Sequence, residues 1–166
     1  MNSEPFPFHL TPSTDDEKFM LDALKEAWKA FASEEVPVGA VLVKEGRIIA
    51  RGGNQVELLK DATAHAEMLC LTAGANALDN WRLLDTTLYC TIEPCAMCAG
   101  AMLLSRVKTV VWGAPDIRHG AGGSWVDLFG EKHPMHDIEV RKGVYAAEAS
   151  FLLKEFFSKR RKSNAS

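Results

Sequence analysis

The chain has no apolar run long enough to cross a bilayer, so we expect no transmembrane helix and no membrane partner. Its first residues lack a basic cluster followed by an apolar stretch, which predicts neither a secretory signal nor a transit peptide. Internal repeats and low-complexity linkers are also absent, which favours one domain over the 166 residues. The formal net charge of −3 gives the chain as a whole no general attraction for polyanions.

Cysteine is scarce as well. The chain has four cysteines, and two of them, Cys95 and Cys98, stand three residues apart in a pattern typical of metal sites. So few cysteines, arranged in this way, argue against a disulfide scaffold and favour a reducing compartment. We therefore predict a cytoplasmic protein.

What the chain does contain is the donor set of a catalytic zinc site. His65 precedes an apolar run typical of a helix, and Cys95 and Cys98 follow Pro94, which suits the first turn of another helix. A catalytic zinc takes three protein ligands and leaves a fourth position for water. Glu67, two residues after the histidine, is then placed to move protons rather than to bind metal.

Two other interpretations of the cysteine pair are open. A redox pair usually belongs to a thioredoxin-like strand and helix and needs no His-x-Glu sequence. A structural zinc site needs a fourth Cys or His at matching spacing. The remaining thiols, Cys70 and Cys90, lie in apolar runs and are expected to be buried side chains of the core.

The periodicity predicts an α/β fold with one mixed sheet covered by helices. In the second half, apolar strands alternate with helices, which indicates parallel βαβ units, whereas the first half has a hairpin pattern. The predicted helices are 15–33, one that opens at His65, 95–104 and one with its core face from Tyr145 to Phe156; the predicted strands are 36–43, 47–52, 87–92, 107–112 and 138–140.

A compact basic run, Lys159-Arg160-Arg161-Lys162, follows the last amphipathic segment. Its simplest interpretation is a solvated end whose cations suit a helix C-terminus. Its functional interpretation is contact with phosphates, which supplies affinity without sequence information.

Together these residues resemble the zinc-dependent nucleobase deaminases, and in particular the bacterial tRNA-specific adenosine deaminases. The likeness runs from about Met20 to Arg161, with one departure at Met135, where the family has Asn before His. The segments that carry it are Val36–Val41, Thr63–Glu67, Thr91–Ala101, Ser105–Val107, Gly113–Asp116, Gly120–Ser124 and Phe156–Arg161.

The resemblance implies a three-layer cytidine-deaminase-like fold with a five-stranded mixed sheet flanked by helices. It implies an N-terminal extension (1–13), a zinc-dependent deaminase domain (14–158) and a basic C-terminal tail (159–166). It also implies a homodimer that binds a tRNA anticodon stem-loop and converts adenosine to inosine at the wobble position of an arginine tRNA. The implied roles are one zinc per subunit on His65, Cys95 and Cys98, proton transfer by Glu67, and substrate binding by Asn54, Ala66, Asp116, Arg160 and Arg161.

Several alternatives stay open at this point. Zinc chemistry is common to deaminases of free cytosine, guanine, nucleosides or nucleotides such as dCMP, so it does not distinguish them from a tRNA enzyme. A catalytically silent zinc-binding partner subunit would not need Glu67, which is present. Asn54 also suits a turn in a Gly-rich loop, and Asp116 also suits a loop cap.

Overall fold

The computed structural model describes residues 4–130 and 132–165. One five-stranded sheet has the order β2-β1-β3-β4-β5. β1 pairs antiparallel with β2 and β3, whereas β3–β4 and β4–β5 are parallel, so the sheet is mixed. The elements are α1 (Asp15–Ala32), β1 (Gly39–Lys44), β2 (Arg47–Gly53), α2 (Val56–Leu59), α3 (Ala66–Leu78), β3 (Thr86–Ile92), α4 (Ala96–Leu104), β4 (Thr109–Ala114), β5 (Glu139–Lys142) and α5 (Ala146–Asn164).

Helices cover both faces of the sheet and create three layers. Successive strand residues point to opposite faces, so Val41 of β1 packs with Phe19 of α1, whereas Leu42 belongs to the core that holds Cys70 of α3 and Met102 of α4. Leu152 of α5 packs with residues of α1 on the first face. The predicted α/β class and the flanked mixed sheet are therefore confirmed.

Local sequence explains where the first elements begin and turn. Thr14 caps α1 by accepting a hydrogen bond from the Glu17 backbone N–H at 3.1 Å. Glu45 and Gly46 both have positive φ, as a tight turn between β1 and β2 requires. The first strand begins at Gly39 rather than at the predicted Val36, because Pro37 has no N–H to donate to a neighbouring strand.

The two ends of the chain pack together on the α1 and α5 face. Phe6 and Phe8 pack against the cluster formed by α1 and α5, and the Trp28 indole donates to the Glu4 carbonyl at 3.0 Å. α5 continues through Asn164, so the predicted tail 159–166 is helical over most of its length. Residues 1–3 of the predicted extension and residue 166 of the predicted tail lie outside the described residues.

None of the helices that the structure describes combines the length and apolarity needed to span a membrane.

Candidate metal centre and substrate site

The starts of two helices bring the predicted metal ligands together. His65 is the N-cap of α3 and Cys95 is the N-cap of α4, while Cys98 lies in the first turn of α4. Gly52 of β2 permits this arrangement, because a Cβ there would collide with the Ala66 carbonyl oxygen at the start of α3. The first N–H groups of a helix have no intrahelical acceptor, so both starts favour negatively charged groups.

The three donor atoms have the spacing of a zinc site. His65 Nδ1 lies 3.5 Å from Cys95 Sγ and 3.6 Å from Cys98 Sγ. Zinc–sulfur and zinc–nitrogen bonds of about 2.3 and 2.05 Å at a tetrahedral angle place N and S about 3.6 Å apart. Both nitrogen–sulfur distances thus agree with tetrahedral zinc coordination. They are the one group of three or more His, Cys, Asp or Glu among the described residues whose donor atoms lie within 4.8 Å of one another.

The pair of thiols is electrostatically asymmetric. A hydrogen bond from the Cys98 thiol, against the effect of burial, lowers the pKa of Cys95 to about 4. The same hydrogen bond raises the pKa of Cys98, and the bond to Cys95 raises the pKa of His65. This environment therefore favours the thiolate form of Cys95, which is the form that binds metal. By contrast, burial raises the pKa of Cys70 and Cys90, which remain inert thiols of the core.

Glu67 lies in the first turn of α3 and is almost completely buried. Burial is the main cause that raises the pKa of Glu67 to about 7, although its own backbone N–H and the charge on His65 act in the opposite direction. A carboxyl group with a pKa near neutral can both accept and release a proton at pH 7. The position and environment of Glu67 therefore suit a proton carrier beside the metal ligands.

Asn54 directly follows β2 and contains an unpaired polar atom. The side chain is 8% exposed, and its Oδ1 is the only buried side-chain N or O atom without a partner in the described part of the chain. Buried acceptors are normally hydrogen-bonded, since an unpaired one costs free energy. The backbone N–H of Asn54 donates to the Val38 carbonyl at 3.1 Å and fixes the position of the residue. The free acceptor is thus available for a ligand.

The basic end of α5 lies beside the loop that follows Asn54. Arg160 Nη2 lies 3.6 Å from Glu57 Oε1, and Glu57 is three residues after Asn54. Glu57 belongs to the short helix α2. The Glu35 carboxylate holds α2 in place by accepting hydrogen bonds from the Glu57 and Leu58 N–H groups, at 3.2 and 2.7 Å. Arg161 is exposed. Of the two arginines predicted to contact phosphate, Arg160 is thus already engaged in a surface ion pair.

Asp116 and Ala66 occupy different parts of the site. The Asp116 Oδ1 accepts hydrogen bonds from the Arg118 and His119 N–H groups, so this side chain caps its own loop, as the simpler interpretation of it predicts. Ala66 is fully buried as the first residue of α3. Its N–H has no acceptor one turn earlier in the helix, which leaves it free to donate to a ligand.

The sequence pattern predicts no role for Glu35 or Glu93, yet both are buried carboxylates that accept backbone N–H groups, from α2 and from the Gly-rich loop after β4 respectively. Each of these residues stands next to an apolar run predicted to be a strand. That position could have indicated a structural role, because a charge that is buried there must be paired. Met135, the one position where the chain departs from the family pattern, is exposed. The ring of the next residue, His136, donates to the Val107 carbonyl at 2.6 Å.

The chain is similar to known proteins in sequence. Residues 13–114 match the family model described as "Cytidine and deoxycytidylate deaminase zinc-binding region". A tRNA-specific adenosine deaminase of Haemophilus influenzae is 51% identical over 147 residues, which cover 88% of this chain and 85% of that protein. A chloroplastic tRNA(adenine(34)) deaminase of Arabidopsis thaliana is 53% identical over 89% of this chain, although the chain spans only 12% of that protein's length.

A solved structure gives the same result. It comes from studies of A-to-I editing by tRNA:A34 deaminases at the wobble position of transfer RNA and is superposed with a TM-score of 0.79. It is 42% identical in sequence, with 82% of this chain and 99% of the other chain covered. The family model, the identity over most of the chain and the His-Cys-Cys trio agree. The chain belongs to the zinc-binding cytidine and deoxycytidylate deaminase family and, within it, to the tRNA-specific adenosine deaminases.

Proposed function

We propose that this protein hydrolyses adenosine to inosine at the wobble position of a tRNA anticodon, with an arginine tRNA as the substrate that the family resemblance implies. One observation carries the proposal. A trio of ligands that fits zinc lies beside a buried carboxyl group, in a chain half identical to tRNA-specific adenosine deaminases.

Hydrolytic deamination makes clear demands on the protein. A water oxygen must join C6 of adenine, the C6–N6 bond must break, and ammonia must leave. His65, Cys95 and Cys98 would hold the zinc, which when bound supplies a water acidified towards a pKa of about 7. The protein itself must move one proton to N1 of the base and another to the departing amine.

Glu67 is the residue we assign to both proton transfers. It accepts the proton that the attacking water loses and delivers it to N1, which makes C6 more electrophilic. It then carries the proton of the new C6 hydroxyl group to N6, so that the C6 oxygen becomes a carbonyl and ammonia rather than an amide anion leaves. A carboxyl group that is buried and has a pKa raised to about 7 is suited to act first as base and then as acid.

The base must leave its stack to enter this buried site. The unpaired Asn54 Oδ1 is an acceptor that suits an N–H on the purine, and the N–H of Ala66 is a donor at the start of α3. We assign Asp116 to the neighbouring nucleotide backbone through its capped loop. Asn54 and Ala66 would therefore select the purine and its orientation, while Asp116 would position the adjoining backbone.

The RNA around the flipped base meets the end of α5. Arg161 is exposed, and Arg160 lies against Glu57, so the basic end of α5 borders the segment that follows Asn54. An exposed ion pair contributes little free energy. An anticodon phosphate would therefore replace Glu57 as the partner of Arg160 at little cost. These contacts would supply affinity, whereas Asn54 would supply selectivity.

We further propose a homodimer in a reducing compartment, with the cytoplasm as the expected one. Large apolar side chains remain exposed in the single chain, among them Leu104 at 66% and Met135 at 70%. All four cysteines are free, which suits a reducing environment. Light scattering on the purified protein should give twice the chain mass of 18.3 kDa; a single-chain mass would contradict the dimer.

The test of the proposed function uses an anticodon stem-loop with A at the wobble position. Inosine should appear at that position alone, while a stem-loop with its only anticodon A moved by one position should stay unmodified. Free adenosine, guanine, cytosine and dCMP should not react. Turnover of one of these small molecules, together with an unmodified stem-loop, would favour the free-base or nucleotide deaminase instead. Zinc binding without any turnover would favour the silent partner subunit.

A further inference from the structure

Glu93 stands at the end of β3, directly before Pro94 and the metal ligand Cys95, and is 3% exposed. Its carboxylate faces the Gly-rich loop that follows β4. Oε1 accepts from the Asp116 N–H at 3.3 Å and from the Ser124 hydroxyl at 2.5 Å. Oε2 accepts from the N–H groups of Gly122 and Ser124 at 3.0 and 3.2 Å. One side chain therefore joins both ends of the loop.

The loop is built to approach this carboxylate closely. A Cβ at Gly120 would collide with the Glu93 carboxylate and with the Asp116 carbonyl. A Cβ at Gly122 would collide with the ring of Trp112. Both glycines therefore lie where a side chain would push the loop off its anchor.

The loop borders open space on one side. An open cleft of about 380 Å³ lies on that side, and its lining includes Glu93, Trp112, Gly122 and Ser124. Packing density is what normally fixes a loop, and a cleft removes those contacts. On the side of the cleft, the hydrogen bonds to Glu93 therefore hold the loop in place.

The other side of the loop is attached to the metal centre. The Ala121 N–H donates to the Pro94 carbonyl at 2.7 Å, and Gly120 forms a β-bridge with the ligand Cys95. The loop begins with Asp116, which we assign to the substrate. Any shift of the loop thus moves a substrate contact relative to the metal ligands.

We infer that Glu93 is a positioning residue that holds the substrate loop 116–124 in register with the metal centre. It touches neither metal nor base; it sets the distance between Asp116 and the start of α4. The inference rests on the proposed function in one respect, which is that the loop binds the tRNA substrate. The anchoring itself is a property of the protein alone.

The test compares Glu93→Gln with the unmodified protein. The amide has nearly the same shape as the carboxylate, but its NH₂ group cannot accept hydrogen bonds. The N–H donors that face the replaced oxygen therefore lose their acceptor. Hydrogen exchange at the backbone amides of Asp116, Gly122 and Ser124 should become about tenfold faster or more. KM for the wobble-A stem-loop should rise by about tenfold while kcat changes much less and zinc stays at one per chain.

Two further variants separate positioning from a loss of general stability. Tyr89→Phe removes a hydrogen bond to Asp16 on the opposite face of the sheet, so it should leave loop exchange and KM unchanged. Ser124→Ala removes only the hydroxyl bond to Glu93 and should produce a smaller effect in the same direction, which also serves if Glu93→Gln fails to fold.

Unchanged loop exchange in Glu93→Gln and in Ser124→Ala would overturn the inference. So would a loss of activity in Glu93→Gln that follows from lost zinc with KM unchanged. If the unmodified protein makes no inosine, the proposed function fails, but the exchange measurement still decides whether Glu93 anchors the loop.

Discussion

Replacing Asn54 with Leu should stabilise the free protein while it damages the enzyme. Leu has the same branching at Cγ but no polar atoms, so it removes the buried Oδ1, which has no partner among residues 4–130 and 132–165. An unpaired buried acceptor costs about 1 to 3 kcal/mol, and an apolar group of similar shape recovers that cost. The same change deprives the substrate of its acceptor. Stability should therefore rise while activity falls, whereas an ordinary core substitution lowers both.

The expected sizes follow from that range. For a domain of this length, 1 to 3 kcal/mol corresponds to a rise in Tm of roughly 2 to 10 °C. Loss of a hydrogen bond of the same worth lowers kcat/KM on the stem-loop by roughly 5- to 150-fold. Differential scanning calorimetry and inosine quantification measure the two quantities on one zinc-loaded preparation.

The neighbouring residue provides the control. Gln55→Leu makes the same chemical change one position later, on a half-buried side chain without a capping hydrogen bond, and should alter neither Tm nor kcat/KM by a comparable amount. A lower Tm for Asn54→Leu, combined with normal kcat/KM, would refute the assignment of Oδ1 to the substrate.

The remaining predictions concern the metal, the proton carrier and the RNA contact. Glu67→Gln should retain one zinc per chain and lose about 10²- to 10⁴-fold in kcat; near-normal turnover would contradict its role. Cys98→Ala should lose zinc by elemental analysis, and a chelator should lower the Tm of the unmodified protein but not of the variant. Arg160→Gln combined with Arg161→Gln should weaken stem-loop binding and flatten its salt dependence by about 1 to 2 in log–log slope, whereas Lys25→Gln should change neither. Unchanged affinity and slope would mean that the basic end of α5 is only solvated.

The metal centre could be predicted because its information is local. His65 and Glu67 share one turn of helix, and Cys95 and Cys98 share another, so short spacing indicated the trio of candidate ligands that the structure brings together. The sheet was predicted from short apolar runs that are separated by helices or by a turn, and the errors in the strands lie at their ends. The strand expected from Val36 starts later, for example, because Pro37 cannot take part in the ladder.

What could not be predicted depends on contacts between distant residues. Glu93 bonds to residues 23 to 31 positions later, and nothing near it in the sequence indicates those partners. The absence of a partner for Asn54 Oδ1 is equally invisible, since it depends on everything packed around it. Phe6 and Phe8 suggest no structure by themselves, yet they pack where α1 and α5 meet. Burial and long-range pairing decide each of these cases.

The most direct test of the central claim counts zinc and inosine in the same preparation. Protein purified without added metal is analysed for zinc and for the state of its thiols, and is then incubated with the wobble-A stem-loop. The account predicts one zinc per chain, free Cys95 and Cys98 thiols after metal removal, and inosine at the wobble position. Full activity without stoichiometric metal, or a disulfide between Cys95 and Cys98 in the active protein, would contradict it.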